Sequence, residues 1–191
     1  TVLGHKCGSS ATWSGEAPAK KLAACMVDVY EGVRRKFSVD EQRHYLFTPR
    51  DLTQWALGLT RYELREAGER LLDMFAFEGA RQLRDRLVNV RDTNRYDSIV
   101  SNALRSHFDH SQEDPNQFTY SALLLPASER VSAAPERALT LMRAPMEDVA
   151  KVMADGLRMY EREVKELNII LFRDAIANII RIERILSRPG G

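Results

Sequence analysis

Apolar positions recur three and four residues apart through most of this chain, so it reads as a series of amphipathic helices interrupted by one long irregular stretch. The first helix begins at Ala19. Leu22, Met26, Val29, Val33 and Phe37 form its stripe, Cys25 and Tyr30 widen it, and Lys20, Lys21, Asp28, Glu31, Arg34 and Arg35 take the opposite face. A second starts at Pro49 and is expected to bury Leu52, Trp55, Ala56 and Leu59, with Trp55 as anchor. The third spans roughly 69–90 with Leu72, Phe75, Phe77, Ala80, Leu83 and Leu87 inward; the fourth follows Asp92 with Tyr96, Ile99, Val100, Ala103, Leu104 and Phe108. From 109 to 145 the period fails among Pro115, Pro126, Pro135 and Pro145, which predicts a long loop. Inside it 118–125 is apolar and extended-prone but too short to assign by pattern. Helix resumes from Met146 to about Lys165, with Val149, Val152, Met153, Leu157 and Tyr160 inward. After the apolar run 167–172 comes a last helix. Its Ile176, Ile179, Ile180, Ile182, Ile185 and Leu186 are too many for one stripe, so it is expected to pack on two sides.

The second helix has the most strongly marked start. Thr48 is an N-cap residue, Pro49 suits the first helical position, and Asp51 completes a capping-box-like pattern. Arg50 sits within that first turn, where the partial positive charge of the helix N-terminus disfavours a cation unless an anion lies close by. That misfit is the first functional clue.

The chain has 191 residues, 44% of them hydrophobic and 29% charged, enough to bury a core. A formal net charge of +1 supplies no general field for a polyanion, so nucleic acid is not an expected partner. Cys7 and Cys25 stand alone without CxxC spacing, which supports neither a disulfide framework nor a zinc knuckle; Cys25 reads as core. No apolar run approaches the ~18 residues of a membrane span, and no membrane partner is expected. Residues 1–17 read as a linker, and both ends read as mid-chain.

There is no GxxxxGK[ST] or GxGxxG loop to cradle phosphates, and no GxSxG or HExxH pattern, so no catalytic residue is assigned. His107 and His110 have a spacing that could present two metal ligands, but at a helix end they read first as solvent-facing or as partners of the helix dipole, and no metal is expected. His44 reads as a packed or hydrogen-bonded residue. Carboxylates such as Glu161 with Glu163, or Asp51 with Glu63, single out no acid/base couple. Arg81, Arg84 and Arg86, alternating with Asp85, read as a solvated face.

Three groups of residues together resemble the dynein heavy chain family. His44-Tyr45-Leu46-Phe47-Thr48-Pro49-Arg50-Asp51-Leu52-Thr53-Gln54-Trp55 is similar to its HY-aromatic-[ST]PR-x-[LM]T-x-W segment. Glu78-Gly79-Ala80-Arg81-Gln82-Leu83-Arg84-Asp85-Arg86-Leu87-Val88 resembles the later E-x-x-R-x-F-x-DRLV helix, with Leu83 in place of the aromatic. Tyr160-Glu161-Arg162-Glu163, Leu171-Phe172 and Arg181-Ile182-Glu183-Arg184-Ile185-Leu186 before Pro189-Gly190-Gly191 look like the approach to a phosphate-binding loop. Thr48-Pro49-Arg50 looks like the cytoplasmic class, and Ser187-Arg188-Pro189-Gly190-Gly191 with Phe47 to Trp55 like its cytoplasmic dynein 2 branch, which serves retrograde intraflagellar transport.

The resemblance implies an all-α fold. Residues 1–17 would be linker, 18–165 the small helical lid of the third AAA+ module with 109–145 as its loop, and 166–191 the lead-in helix of the fourth module. Arg50 would occupy the sensor-2 position, reaching toward nucleotide phosphate. ATP or ADP with Mg would be held by a large subdomain outside these residues, and none by this chain alone. The intact parent would be a minus-end-directed microtubule ATPase. Neighbouring AAA+ modules, microtubules, intermediate and light intermediate chains and a second heavy chain would be its partners, in cytoplasm, cytoskeleton and cilium. The alternative is a free-standing helical scaffold or adaptor whose last helix docks a partner helix.

Overall fold

The computed structural model describes residues 16–62, 70–111, 118–126 and 139–187, in two compact units that divide at 113/114. The expected linker lies almost wholly outside the described residues.

In the first unit α1 (Glu16–Lys36) and α4 (Val90–Phe108) pack side by side, and α2 (Pro49–Gly58) lies against α3 (Leu71–Gln82). The α1 stripe is buried as its period requires: Leu22, Cys25, Met26, Val29, Tyr30 and Val33 are all inside. Trp55 is fully buried and stacks on Phe75, ring centroids 4.5 Å apart. Leu52 and Ala56 are only partly covered, so α2 holds on chiefly through that one ring. The most enclosed helix is α3. Leu71, Leu72, Met74, Phe75, Ala76, Glu78 and Gly79 are buried around much of its circumference, while Phe77 and Ala80, expected inward, are half covered.

The predicted third helix is shorter than its period suggests. It ends at Gln82 and gives way to a 3-10 turn over Arg84–Arg86. Competition for backbone groups keeps the helix from resuming beyond that turn. The Arg86 carbonyl accepts from His44 Nε2 at 3.0 Å, and the Val88 N–H donates to Tyr45 Oη at 3.1 Å, so neither is left for an i to i−4 ladder. Asn89 then caps α4 by accepting from the Asp92 N–H at 2.8 Å, starting that helix at Val90 rather than after Asp92.

In the second unit the stretch expected as loop contributes two strands. β1 (Phe118–Ser121) and β2 (Met142–Pro145) pair antiparallel, with Phe118 opposite Pro145 and Ser121 opposite Met142. The strand at 118–121 settles the ambiguous apolar run. Met142–Pro145 carries no strand pattern of its own; its place comes from the partner strand, a non-local cause that periodicity does not register. On this ribbon sit α5 (Met146–Glu163) and α6 (Arg173–Leu186), with Ala144, Val149, Ile176 and Ile180 as the core. Glu183 ties α6 to the strand end, accepting from Ser121 Oγ at 3.2 Å and the Ala122 N–H at 3.3 Å.

Among the described residues of this unit, one face of α6 is covered. Ile182, Ile185 and Leu186 are 56%, 47% and 73% exposed, so the packing expected on two sides is seen here on one. α5 is shallower than expected: Val149 alone is buried, Val152, Met153 and Leu157 are half covered, and Tyr160 is exposed. Among the described residues the fold is helical apart from this small ribbon. No helix of the described residues is long and apolar enough to cross a membrane.

Candidate functional site

The segment 44–55 is held from both sides. Tyr30 Oη donates to the Phe47 carbonyl at 3.3 Å, fixing the segment to α1. Tyr45 Oη donates to Asp92 Oδ2 at 2.9 Å, fixing it to the cap of α4. The capping box of α2 forms: Asp51 Oδ2 accepts the Thr48 N–H at 2.7 Å and lies 3.3 Å from the Thr48 hydroxyl. The first turn of α2 is therefore a fixed platform.

Arg50 projects from that platform. It is exposed, and no acid or backbone acceptor pairs with it among the described residues. The neighbouring carboxylate is occupied elsewhere, because Asp51 Oδ1 is bonded by Arg86 Nη2 in a short contact. Arg86 also donates to the Leu46 carbonyl at 3.1 Å, and its guanidinium lies 5.6 Å from the Phe47 ring centre. An arginine that keeps its charge and its donors unspent, on a helix N-terminus, suits a multivalent anion brought from outside the unit.

The other candidates resolve differently. His107 Nε2 donates to Asp28 Oδ2 at 2.6 Å and His110 Nε2 to Asp73 Oδ1 at 3.2 Å, so the two rings face different carboxylates on different helices. That arrangement is structural. No group of three or more ligating side chains assembles among the described residues. His44 is hydrogen-bonded, as expected. Glu63 lies outside the described residues.

The solvated-face reading of Arg81, Arg84 and Arg86 is corrected. Arg81 pairs with Asp85 at 3.0 Å, Arg84 grips Asp97 through two bonds of 2.7 and 3.0 Å, and Arg86 clasps Asp51; all three are partly buried ties within the unit. Charge alternation along the sequence conceals this for Arg84 and Arg86, whose partners come from α4 and the first turn of α2. Sequence reasoning also missed Glu78, a wholly buried carboxylate that accepts from Tyr62 Oη at 2.7 Å and Gln82 Nε2 at 3.3 Å. The available signal was its place at the head of the second motif.

Comparison with known proteins agrees with this pairing of motifs. Residues 5–93 match the family model described as "Dynein heavy chain, ATPase lid domain". Over its whole length the chain is 34% identical to "Cytoplasmic dynein 2 heavy chain 1" of Tripneustes gratilla. It is 33% identical to the Mus musculus protein of that name, again over 100% of this chain. Over 96% of the chain it is 35% identical to that of Chlamydomonas reinhardtii. This chain belongs to the dynein heavy chain family. It spans 5% of the Tripneustes and mouse proteins and 4% of the Chlamydomonas one. The dynein lid match falls on the first unit, where the motif segments 44–55 and 78–88 fold against each other.

Three acidic protons of this lid are held tightly. Burial pushes the Cys25 thiol up to about 12, with Asp28 adding to it. Burial also raises Tyr45, helped by Asp92 and opposed by the Val88 N–H, and raises Tyr96 further still. Each group is neutral when protonated and has a folded pKa above its unfolded one. Its contribution to stability is therefore complete below the unfolded values of about 8.5 and 10, and is lost as pH rises through the folded ones. We expect stability to fall above about pH 9 to 10 on this account. A spectrophotometric titration of the folded chain checks it: Tyr45 and Tyr96 ionising normally near 10 contradicts the burial of the two side chains.

Proposed function

We propose that the chain is the lid of the third AAA+ module of a cytoplasmic-type dynein heavy chain. In this reading residues 18–165 form the lid and 166–191 lead into the fourth module. The lid senses nucleotide through Arg50 and relays that state around the motor. The observation that carries the reading is Arg50 itself: a permanently charged, exposed side chain in the first turn of a rigidly capped helix, without an acidic partner among the described residues. Bound ATP or ADP with Mg, held by a large subdomain outside this chain, supplies the phosphate charge that such a cation answers. This chain contributes no catalytic group. Its part is to hold the guanidinium on a platform that moves as one body, so that the presence of the phosphate biases the position of the lid.

The intact heavy chain is then a minus-end-directed microtubule ATPase of the dynein 2 class, working in retrograde intraflagellar transport in cytoplasm, cytoskeleton and cilium. Microtubules, intermediate and light intermediate chains and a second heavy chain are its partners. The uncovered face of α6 packs on neighbouring AAA+ modules of the same heavy chain. A second reading, a helical adaptor that docks a partner helix, draws on that same exposed face.

Arg50→Ala in the intact heavy chain tests the sensor. Losing one charge-assisted contact, about 1.5–3 kcal/mol, is expected to move the ATP concentration for half-maximal microtubule gliding about tenfold or more. An unchanged ATP dependence removes the sensor role.

A further inference from the structure

The sensor reading leaves unexplained why a second arginine is spent on the carboxylate beside Arg50. We infer that Arg86 is the positioning residue for Arg50, and that it couples the start of α2 to the start of α4. This inference rests on the sensor reading and deepens it.

Arg86 closes a ring of bonds around the platform. Its side chain reaches Asp51 in the first turn of α2 and the Leu46 carbonyl in the lead-in segment. Its own backbone carbonyl is bonded by His44. Two residues on, the Val88 N–H donates to the Tyr45 hydroxyl, which itself donates to Asp92 in the first turn of α4. One planar guanidinium thus spans two acceptors that belong to the approach and to the first turn of the sensor helix. A planar fork does this at little entropic cost, because its donors are already set in fixed directions.

The charge matters as much as the geometry. Asp51 is nearly buried, and without Arg86 its carboxylate would keep only the Thr48 donors. The capping turn would then be free to rotate its acid toward another cation. Arg50 is the cation within the same turn. Arg86 therefore keeps Arg50 available for a phosphate by satisfying the nearest competing anion. Because Arg86 sits in the 3-10 turn leading to α4, a shift of Arg50 toward bound phosphate pulls on Asp51, then on Arg86, then on the α4 cap.

The test is a double-mutant cycle in the intact heavy chain, reading the ATP concentration for half-maximal gliding velocity together with the melting temperature. Arg86→Ala is expected to shift that concentration about fivefold or more in the direction of Arg50→Ala, and the double variant to lie within about twofold of Arg50→Ala alone. Arg86→Lys keeps the charge but loses the planar fork that reaches Leu46 and Asp51 from separate nitrogens, so it is expected to shift part of the way; it also serves if the alanine variant fails to fold. A lower melting temperature with unchanged ATP dependence makes Arg86 a purely structural tie and overturns the inference. So does a double variant whose shift is the product of the single shifts; in both cases the sensor reading stands. An Arg50→Ala variant with normal ATP dependence overturns the sensor reading and this inference with it.

Discussion

Trp55→Ala is expected to destabilise the first unit by about 4 kcal/mol, a large share of the roughly 5–15 kcal/mol that holds a domain folded. The ring is wholly buried, packs on Phe75 at 4.5 Å between centroids, and donates from Nε1 to the Phe75 carbonyl at 2.9 Å. Its neighbours on α2 cannot take over. Leu52 and Ala56 are only partly covered, and Asp51 holds the helix by its first turn alone. Truncation opens a cavity walled by α3, whose own burial leaves it little freedom to collapse inward. Urea unfolding of the chain followed by circular dichroism measures this, and a loss below about 1 kcal/mol would show that α2 is not anchored by its tryptophan. The consequence reaches the site, since Arg50 rides on the same helix and loses its fixed aim when the anchor goes.

The helices were legible where one periodic face meets one core. The α1 stripe from Leu22 to Val33 went inside as read, and Thr48, Pro49 and Asp51 marked the start of α2 because capping is local chemistry within four residues. Reading failed where a distant group decides. The failure of α3 to resume after the 3-10 turn depends on His44 and Tyr45 taking the Arg86 carbonyl and the Val88 N–H from across the fold. The second strand depends on pairing with Phe118–Ser121, and the burial of Arg84 and Arg86 depends on Asp97 and Asp51. The site shows the same division. Arg50 was legible as an electrostatic misfit in its own turn, whereas the clasp that occupies its neighbour joins residues 35 apart in sequence. That clasp also explains why two motif segments carry the family resemblance together: they are the two halves of one hydrogen-bonded junction.

Gly79→Ala is expected to destabilise the same unit by about 2 kcal/mol, against what helix propensity says. In an open helix the change would be worth up to about 1 kcal/mol in favour of alanine. Here a Cβ at position 79 would lie 2.8 Å from Trp55 Cε2 and 2.9 Å from Cη2, and nearer still to Cζ2. The ring cannot swing aside, because Phe75 backs it and its Nε1 bond fixes its tilt. Either α2 is pushed off α3 or the tryptophan leaves its rotamer, and each costs more than the propensity returns. The sign should reverse when the obstacle is removed. In a Trp55→Ala background the added methyl fills part of the cavity and keeps its helix-forming advantage, so the double variant is expected to be more stable than Trp55→Ala alone. Urea midpoints of the four proteins decide the matter. A Gly79→Ala variant at least as stable as the parent, or a double variant weaker than Trp55→Ala, would mean that the close approach of α2 to α3 does not rest on the missing side chain at position 79.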